Sequence, residues 1–356
     1  MNFVIAGGGT GGHIYPAVAI AERLSDRGKV TMLARSGSLE ERVFLAHGLD
    51  VQRMRSAPLL YAPASLWRFA RASSGGVADA RRAMAELHAD AFVGTGGYVS
   101  APGILAAQMT GIPVYLLEQN AVMGRANRLF HHRARRVFLG FPVAGLTGGR
   151  FFLSGNPLRR DVYAALVASR SKQFERQGVL FLGGSGGAQF INDLFLRTVG
   201  ALDAGRFAVT VSVVTGTDDY TRVRDAVAAM ALTSVDARVV AYEEHMDKLY
   251  EHVHVAVTRG GALALTELAT GLIYSIIIPY PFAVSQHQSK NAAYVESLGL
   301  GVRLEQDSFS FDRYLAELEQ ALAKRGEGPR SAPTGVFAHD AAEIIAGMIE
   351  QECAHG

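Results

Sequence analysis

The sequence predicts an α/β protein made of two doubly wound, Rossmann-like domains. Apolar runs alternate with amphipathic stretches along the 356 residues, which is typical of parallel sheets covered by helices. A strand followed at once by a glycine loop occurs twice, at "FVIAGGGTGGH" (3–13) and "VLFLGGSGGA" (179–188). The chain is also long for a single hydrophobic core. We therefore predict two domains, at 1–155 and 156–335.

The individual elements follow from the apolar runs and the turns between them. In the first half we predict strands at 3–6, 29–34, 50–54, 91–95, 113–117 and 136–139. A helix is predicted over 15–26, with Pro16 in its first turn, where proline is well tolerated. In the second half, after the strand that opens at 179, strands are predicted at 208–214, 237–241, 254–257, 275–278 and 301–304. Residues 326–335 are predicted as a linker and 339–352 as a terminal helix.

The charges divide unevenly between the two halves. Residues 1–155 contain 17 Lys and Arg against nine Asp and Glu, a net charge of +8, and the remainder of the chain carries −6. This asymmetry favours an anionic partner for the first half, such as a membrane surface or a phosphorylated acceptor, although unselected surface variation would also produce it. No basic-aromatic motif of the known nucleic-acid modules is present, so we expect no nucleic-acid partner.

Composition also excludes several classes of protein. Cys353 is the one cysteine, which suits a reducing cytoplasm, and we expect no secretory signal, because no basic and apolar regions of the kind found in signal peptides come before the first strand. Residues 92–117 carry no charge, but five glycines and two prolines break them into shorter elements, so we expect no transmembrane helix. There is no D-x-D triplet and no Cys/His cluster with ligand spacing, so we expect no metal site.

The first glycine loop raises the question of a dinucleotide. Gly7, Gly9 and Gly12 spell G-x-G-x-x-G, in which bare backbone N–H groups and a helix N-terminus can approach an anion. The second strand ends at Arg35 rather than at the acidic residue that would hold an NAD ribose. NAD is therefore disfavoured, and an NADP-dependent oxidoreductase remains as an alternative.

Polar residues follow other predicted strands, where a parallel sheet carries its sites. His13 ends the first loop, as a general base or hydrogen-bond donor or else as a structural histidine. In the same half lie Tyr98, in "GTGGYVSAP", and Glu118 with Asn120, in "LLEQNAVMGRANR". In the second half, Ser185 could bind a phosphate, Glu267 two ribose hydroxyls and Gln288 sugar hydroxyls.

Two stretches of the first half could contact a membrane. "PLLYAPASLWRFARA" (58–72) mixes large apolar and aromatic residues with arginines, although a helix packed into the core would show the same composition. "RANRLFHHRARR" (125–136) adds five arginines and two histidines. We therefore expect an anionic membrane surface as a partner.

Seven motifs occur in an order that spans almost the whole chain: "GGTGGHIYPAVAIAERL" (8–24), "VGTGGYVSAPGILAA" (93–107), "EQNAVMGRANR" (118–128), "GNPLRRDV" (155–162), "LGGSGGAQFIN" (182–192), "RGGALALTELA" (259–269) and "HQSKNA" (287–292). Together they resemble the MurG family of peptidoglycan glycosyltransferases. These enzymes transfer N-acetylglucosamine from UDP-N-acetylglucosamine to the 4-hydroxyl of undecaprenyl-pyrophosphoryl-N-acetylmuramyl-pentapeptide.

The resemblance implies a GT-B fold, in which two Rossmann-like domains face each other across a cleft. It implies that a terminal helix, at 336–352, packs back on the first domain. It further implies an inverting transfer without metal or cofactor, with the lipid-linked acceptor on the N-terminal domain and UDP-N-acetylglucosamine on the C-terminal domain. The protein would then be peripheral, at the cytoplasmic face of the bacterial inner membrane.

Site residues carried over by the resemblance are Thr10, Gly11 and Gly12 near the donor sugar, Asn120, Arg159, Ser185 at the phosphates, Ala262, Leu263, Ala264, Leu265, Thr266 and Glu267 around phosphate and ribose, and Gln288 at the sugar hydroxyls. His13 matches the glycine-loop histidine of the family. We predict that either His13 or Glu118 accepts the proton of the acceptor hydroxyl.

The chain departs from the family pattern at three positions. Leu117 stands where the family usually has histidine, so no catalytic part can be carried over for that histidine. Gly186 replaces the usual glutamine, and Gly260 replaces a serine or alanine. Another UDP-sugar enzyme of the same fold, such as a glycolipid glycosyltransferase or a 2-epimerase, and a non-catalytic nucleotide-sugar sensor remain as further alternatives.

Overall fold

The chain divides into two compact units, Met1–Arg160 with His339–Gly356 and Asp161–Ala338. The computed structural model describes residues 1–56, 63–171, 177–184, 186–243, 245–324 and 335–355, and the side chains of all of these except 63–73 and Val284. The chain therefore enters the second unit after Arg160 and returns to the first unit at His339. Both points lie a few residues after the domain boundaries predicted at 155 and 335. The predicted linker at 326–335 lies almost wholly outside the described residues.

The first unit is built on a parallel sheet in the order β3-β2-β1-β4-β5-β6-β7. Its strands are β1 (Asn2–Ala6), β2 (Lys29–Ala34), β3 (Asp50–Arg53), β4 (Ala91–Gly94), β5 (Val114–Glu118), β6 (Arg136–Leu139) and β7 (Phe151–Leu153). Each central strand is buried on both faces, which explains why it was recognisable as a continuous apolar run. β7 was not predicted, because it is a three-residue edge strand whose side chains are partly exposed.

Helices cover both faces of this sheet. They are α1 (Gly11–Leu24), α2 (Leu39–Ala46), α3 (Pro63–Glu86), α4 (Ser100–Thr110) and α5 (Arg125–Phe130). One apolar cluster joins the sheet to α1 and α2, and another joins the opposite face to α3 and α4. The uncharged stretch 92–117 thus divides into the end of β4, α4 and most of β5. Among the described helices, none has both the length and the apolar composition needed to cross a membrane.

The second unit repeats the same topology, with a parallel sheet in the order β10-β9-β8-β11-β12-β13. Following α6 (Arg160–Ser169), its elements are β8 (Gly178–Leu182), α7 (Gln189–Ala204), β9 (Val209–Val214), α8 (Tyr220–Ala228), β10 (Val235–Val240), α9 (Met246–Tyr250), β11 (Val253–Thr258), α10 (Ala262–Thr270), β12 (Tyr274–Ile277), α11 (His287–Ser297), β13 (Gly301–Arg303) and α12 (Phe311–Ala323). In both units the first strand lies beside the fourth. The predicted repeat of a doubly wound, nucleotide-type opening is therefore confirmed.

The terminal helix α13 (Ala341–Ala354) belongs to the first unit. Ile345, Ala346 and Ile349 are fully buried in the same cluster as α1. Beside them, Arg23 is 4% exposed. Its guanidinium donates a hydrogen bond to Asp340 Oδ2, with an Nη2 to Oδ2 distance of 2.6 Å. Asp340 also accepts the backbone N–H of Ala342 and so caps α13. One carboxylate thus anchors a buried cation and begins the helix.

Helix α1 differs from its prediction, because it begins at Gly11 rather than at residue 15. Thr10 is extended, and its carbonyl accepts the N–H groups of His13 and Ile14, so the first turn forms over the glycines. Pro16 consequently lies inside the helix instead of in its first turn. The poor helix propensity of glycine concealed this start.

Replacing Asp340 by alanine is expected to destabilise the first unit by about 2 kcal/mol, because it removes a helix cap and the nearest of the three carboxylates around the buried Arg23 guanidinium. Ser310→Ala is the matched control, since Ser310 caps α12 through its side chain without holding a buried charge. That control should cost about 1 kcal/mol. Urea denaturation of both variants measures the difference, and equal losses would contradict the role assigned to the Arg23 ion pair.

Candidate functional site

Each unit carries a glycine loop directly after the first strand of its sheet. In the first unit the loop after β1 lies against the turn after β4, because β1 and β4 are neighbouring parallel strands. In the second unit β8 and β11 are likewise neighbouring parallel strands, and the loop after β8 packs against the turn after β9, where a Cβ on Gly216 would lie 2.9 Å from the carbonyl oxygen of Gly186. Ligands of doubly wound sheets bind beyond the carboxyl ends of the strands, where the strand order reverses. The two loops are therefore candidate binding sites.

Some glycines of the first loop are required by contacts within the protein. A Cβ on Gly7 would lie 1.8 Å from Thr95 Oγ1, and one on Gly97 would lie 2.1 Å from the carbonyl oxygen of Gly8. Gly11 and Gly12 are different, because their nearest neighbours would be at 3.5 and 3.7 Å. Packing thus explains Gly7 and Gly97, whereas at Gly11 and Gly12 the protein itself leaves room.

The second loop shows the same division. A Cβ on Gly183 would meet the backbone nitrogen of Ala188 at 2.4 Å, and one on Gly187 would meet the carbonyl oxygen of Thr215 at 2.1 Å. Gly184 and Gly186 have nothing within 4 Å of such a Cβ. Ser185, which lies between them and is a predicted phosphate ligand, is outside the described residues. Both loops therefore combine packed glycines with open ones.

The helices that begin at these sites lack side-chain caps. α1, α7 and α10 have no capping hydrogen bond from the N-cap side chain and no acidic residue in the first turn. By contrast, Ser38, Ser310 and Asp340 cap α2, α12 and α13, each of which has an acidic first turn. Uncapped N–H groups and the positive end of the helix dipole favour an anionic ligand.

His13 is fixed in one tautomer by its surroundings. Its Nδ1 lies 3.0 Å from the carbonyl oxygen of Thr95, and a carbonyl can only accept, so Nδ1 carries the proton. The other ring nitrogen, Nε2, is then the acceptor in the neutral ring. Burial lowers the pKa of His13 below its ordinary 6.5, against the opposing effects of the Glu118 carboxylate, Thr95 and Gln119. The ring is consequently suited to receive a proton.

Glu118, the last residue of β5, is 2% exposed and holds the loop that follows it. Its Oε2 accepts the backbone N–H of Gly124 at 2.7 Å and the side-chain amide of Asn127 at 2.9 Å, and its Oε1 accepts the N–H of Asn120 at 3.2 Å. The last of these bonds joins Glu118 to Asn120, another of the predicted site residues. The carboxylate orders this loop and lies close enough to His13 to influence its pKa.

Gln119, which lies between Glu118 and Asn120 in the polar segment predicted at a strand end, contacts the same backbone group as His13. Its Nε2 lies 2.5 Å from the carbonyl oxygen of Thr95, and the side chain is 2% exposed. A further bond, from Asn156 Nδ2 to the backbone oxygen of Gln119, fixes the segment from the other side. The consecutive polar residues after a strand were the available signal, but Thr95 lies too far away in sequence for the contact to be predicted.

Tyr98 and Arg159 lie beside the two ends of the first loop. The ring of Tyr98 would contact a Cβ on Gly9 at 3.2 Å, and the guanidinium of Arg35 lies 5.5 Å from the centre of that ring. Arg159 lies over the ring of Tyr15, at 5.6 Å, on the first helix. Tyr98 thus borders the first loop and Arg159 borders α1, and in each place a guanidinium lies near the face of a tyrosine ring.

In the second unit, α10 presents one side to the protein and another outward. Ala262, Leu265 and Thr266 are buried. Leu263, Ala264 and Glu267 are partly exposed. Glu267 follows Ala264 by three residues and Leu263 by four, so these three side chains lie on one face of the helix. Glu267 Oε2 accepts the hydroxyl of Tyr250 at 2.7 Å. Of the six predicted positions on α10, the three on the partly exposed face are the ones whose side chains a ligand could reach.

Gln288 is held by its carbonyl oxygen. Oε1 accepts the backbone N–H of Tyr280 at 2.9 Å and that of Gly260 at 3.2 Å. This leaves its NH₂ group as the part suited to contact a ligand. A Cβ on Gly260 would lie 2.3 Å from the backbone oxygen of Gln288, which explains why this chain has glycine there.

Arg259 was missed as a site residue, although a charged residue directly after the apolar strand β11 was a usable signal. It is 6% exposed and donates to the carbonyl oxygen of Ile278 and to Gln306 Oε1, at 3.1 and 2.7 Å. Burial lowers its pKa from the ordinary value. Among the described residues it forms no ion pair with a carboxylate, and besides these oxygens its guanidinium faces the rings of Phe190 and Tyr280, at 5.4 and 5.6 Å from their centres.

Leu117, where the family pattern would place histidine, is fully buried in the core that joins the sheet to α1. Its side chain belongs to the same apolar cluster as Tyr115 and Phe138, so this residue contributes to the core. In the described part of the chain, no group of three or more His, Cys, Asp or Glu side chains is arranged to hold a metal ion.

Each unit contains a parallel sheet, and the two sheets share one strand order over six strands. In each, a glycine loop follows the first strand. These features place this chain in the GT-B class of glycosyltransferase folds. Residues 3–139 match the model of the glycosyltransferase family 28 N-terminal domain, and residues 178–345 match that of the family 28 C-terminal domain. The chain belongs to glycosyltransferase family 28. The expected GT-B fold, with a Rossmann-like domain in each half, is thereby confirmed.

Individual relatives agree with this family. The chain is 38% identical over 316 residues to an Acidithiobacillus ferrooxidans protein named UDP-N-acetylglucosamine–N-acetylmuramyl-(pentapeptide) pyrophosphoryl-undecaprenol N-acetylglucosamine transferase, covering 86% of this chain and 84% of the relative. A Halorhodospira halophila protein of the same name is 36% identical, covering 99% and 98%. The crystal structure of Acinetobacter baumannii MurG superposes with a TM-score of 0.77 at 25% identity, covering 98% of this chain and 99% of that one. The predicted resemblance to the MurG family is confirmed.

We expect His13 to titrate below pH 6.5 in a nuclear magnetic resonance pH titration of its ring. The unfolded chain then binds more protons than the folded one between the lowered pKa and 6.5, so the unfolding free energy falls as the pH drops through that window. His13→Gln should show a shallower decline over the same range. A titration midpoint at or above 6.5 would contradict the burial argument.

Proposed function

We propose that this protein transfers N-acetylglucosamine from UDP-N-acetylglucosamine to the 4-hydroxyl of a lipid-linked N-acetylmuramyl-pentapeptide, with inversion at the anomeric carbon and without a metal ion. The names of the relatives above support these substrates. The single structural observation that carries the chemistry is the fixed tautomer of His13, whose Nε2 is a proton acceptor on the helix that begins at the open glycines Gly11 and Gly12.

The hydroxyl groups of the donor, UDP-N-acetylglucosamine, form hydrogen bonds with side chains of the second unit. The Glu267 carboxylate accepts the two ribose hydroxyls, and the Gln288 NH₂ group donates to hydroxyl oxygens of the sugar. The anchoring of Gln288 Oε1 by two backbone N–H groups supports this role, because it fixes the direction of the NH₂ group. The start of α10, at Ala262, Leu263, Ala264, Leu265 and Thr266, provides the backbone around the phosphate and ribose.

The departing UDP carries negative charge that must be stabilised as the glycosidic bond breaks. The open glycines Gly184 and Gly186, together with Ser185, offer backbone N–H groups and a hydroxyl to the pyrophosphate. Arg259 adds a positive charge that no carboxylate among the described residues neutralises. Preorganised donors of this kind stabilise developing charge without a metal ion.

On the acceptor, His13 Nε2 takes the proton from the attacking 4-hydroxyl. Glu118 supports the histidine rather than replacing it, since its two oxygens already accept three hydrogen bonds from the following loop. Its negative charge stabilises the imidazolium that forms. Asn120, Tyr98 and Arg159 border the acceptor pyrophosphate and sugar, and Thr10, Gly11 and Gly12 border the transferred sugar.

We further propose that the first unit is peripherally bound to an anionic membrane, at the cytoplasmic face of the bacterial inner membrane. Leu105 and Met109, one turn apart on α4, are 37% and 63% exposed, and Leu129 on α5 is 69% exposed. A surface pocket of about 370 Å³ at the end of α4 is lined by Gln108, Gly111, Ile112, Pro113, Val114, His132, Arg133, Ala134 and Arg135. Exposed apolar side chains beside cationic ones suit a lipid headgroup region. The side chains of 58–72 predicted to take part lie outside the described residues.

Labelled UDP-N-acetylglucosamine and a short-chain polyprenyl-pyrophosphoryl-muramyl-pentapeptide should yield a labelled lipid-linked disaccharide. His13→Ala is expected to lower kcat by about 100-fold or more, because it removes the general base. Glu118→Gln, which removes the charge and keeps the size, should lower kcat less. A loss at Glu118→Gln as large as at His13→Ala would assign the proton transfer to Glu118.

Other outcomes of this assay would contradict the proposed reaction. UDP-N-acetylglucosamine converted to its 2-epimer without acceptor would favour an epimerase. The Neisseria meningitidis UDP-N-acetylglucosamine 2-epimerase shares the fold, with a TM-score of 0.66 at 12% identity, so the fold alone does not separate the two reactions. Binding of UDP-N-acetylglucosamine with neither product would favour a sensor, and binding of NADP without UDP would favour an oxidoreductase.

Sedimentation with phosphatidylglycerol vesicles tests the membrane surface. We expect Arg133→Gln to weaken binding about fivefold at low salt, since one basic residue near an anionic surface contributes about 1 kcal/mol. The matched control is Arg313→Gln on α12 of the second unit, which removes the same charge from an exposed position. Binding should also weaken as salt rises. Equal effects of the two variants, or binding that is insensitive to salt, would contradict this assignment.

A further inference from the structure

Tyr250 is a buried residue that the proposed reaction does not yet use. It is the last residue of the short helix α9, and its side chain is 1% exposed. Burial raises the pKa of its hydroxyl well above the ordinary value of 10, with the Glu267 carboxylate adding to that effect. The hydroxyl therefore keeps its proton at neutral pH and donates it to Glu267 Oε2 across 2.7 Å.

Glu267 needs such an anchor because of where it stands. It lies on the partly exposed face of α10, and a glutamate side chain on a helix surface has several accessible rotamers. A buried hydroxyl bound to one carboxylate oxygen fixes both the rotamer and the plane of the carboxylate. A carboxylate can accept several hydrogen bonds, so a bond from a protein hydroxyl is compatible with bonds from ligand hydroxyls.

We propose that Tyr250 is a positioning residue for recognition of the ribose, acting through Glu267. This inference rests on the proposed function, in which Glu267 accepts the 2′- and 3′-hydroxyls of the uridine nucleotide. Tyr250 itself does not contact the nucleotide. It holds the Glu267 carboxylate in the orientation that accepts both hydroxyls, so that the orientation is already set before the nucleotide binds.

This role is tested in the full-length chain by comparing the affinities of two ligands for the unaltered protein and for one variant. Binding of uridine diphosphate and of its 2′,3′-dideoxy analogue is measured by titration calorimetry for the unaltered protein and for Tyr250→Phe. We expect Tyr250→Phe to weaken uridine diphosphate about fivefold, the effect of losing one hydrogen bond. Binding of the dideoxy analogue should be unchanged, because it lacks the hydroxyls that Glu267 would accept.

A matched control separates positioning from general loss of stability. Tyr314 is another fully buried tyrosine of the second unit, and its hydroxyl lies 3.0 Å from Thr198 Oγ1. Tyr314→Phe removes a buried hydroxyl of the same kind, and it should leave the affinities for both ligands as in the unaltered protein. If Tyr250→Phe weakened both ligands equally, or neither, the positioning role would be overturned.

Glu267→Ala distinguishes failure of this inference from failure of the proposed ribose contact. If Glu267→Ala weakens uridine diphosphate more than the dideoxy analogue and Tyr250→Phe does not, Glu267 reads the ribose and only the role of Tyr250 is wrong. If Glu267→Ala affects the two ligands equally, the ribose contact itself is wrong and the inference falls with it.

Discussion

The first unit depends on how helix α1 is held at its two ends. At its start, Gly7 and Gly97 allow the loop after β1 and the turn after β4 to pack without space for a Cβ, and Thr95 Oγ1 donates to the backbone oxygen of His13. Toward its other end, Arg23 is tied to Asp340 at the beginning of α13. Because a helix is rigid over this length, these contacts together fix the position from which His13 points. The terminal helix, which lies far from the site in sequence, thereby contributes to the geometry of the proposed base.

The two glycine loops show why a glycine-rich motif is weak evidence for a particular ligand. In each loop some glycines are explained by contacts within the protein, and others are open on the side where a ligand would approach. The pattern G-x-G-x-x-G does not distinguish these two groups, so the first loop matches a dinucleotide fingerprint although the chain belongs to a glycosyltransferase family. Gly12 belongs to the open group and Gly7 to the packed group, even though both fit the same motif.

Most of the fold could be predicted from the sequence, because parallel strands buried on both faces give apolar runs that local patterns reveal. The prediction failed where local patterns mislead or are too short. Glycines concealed the first turn of α1, and the three residues of β7 gave no clear run. The contacts that fix the site join distant parts of the chain, since Arg23 and Asp340 are 317 residues apart. His13 and Glu118 were predicted from their positions near strand ends and Gln288 from its position at the head of a predicted helix, whereas no local pattern showed that Tyr250 would contact Glu267.

The charged groups of the site differ from those elsewhere in how they are stabilised. Arg222 on α8 lies between Asp193 and Asp219, so its charge is neutralised by neighbouring acids. Arg222 is exposed, whereas Glu118 and Arg259 are buried, and within the described residues the hydrogen bonds of these two buried groups go to amides and carbonyls rather than to groups of opposite charge. Neutral partners stabilise a charge while leaving its field in place. In the proposed reaction, the field of Glu118 would stabilise the imidazolium and that of Arg259 the pyrophosphate. A charged partner paired with Glu118 or Arg259 would weaken that stabilisation.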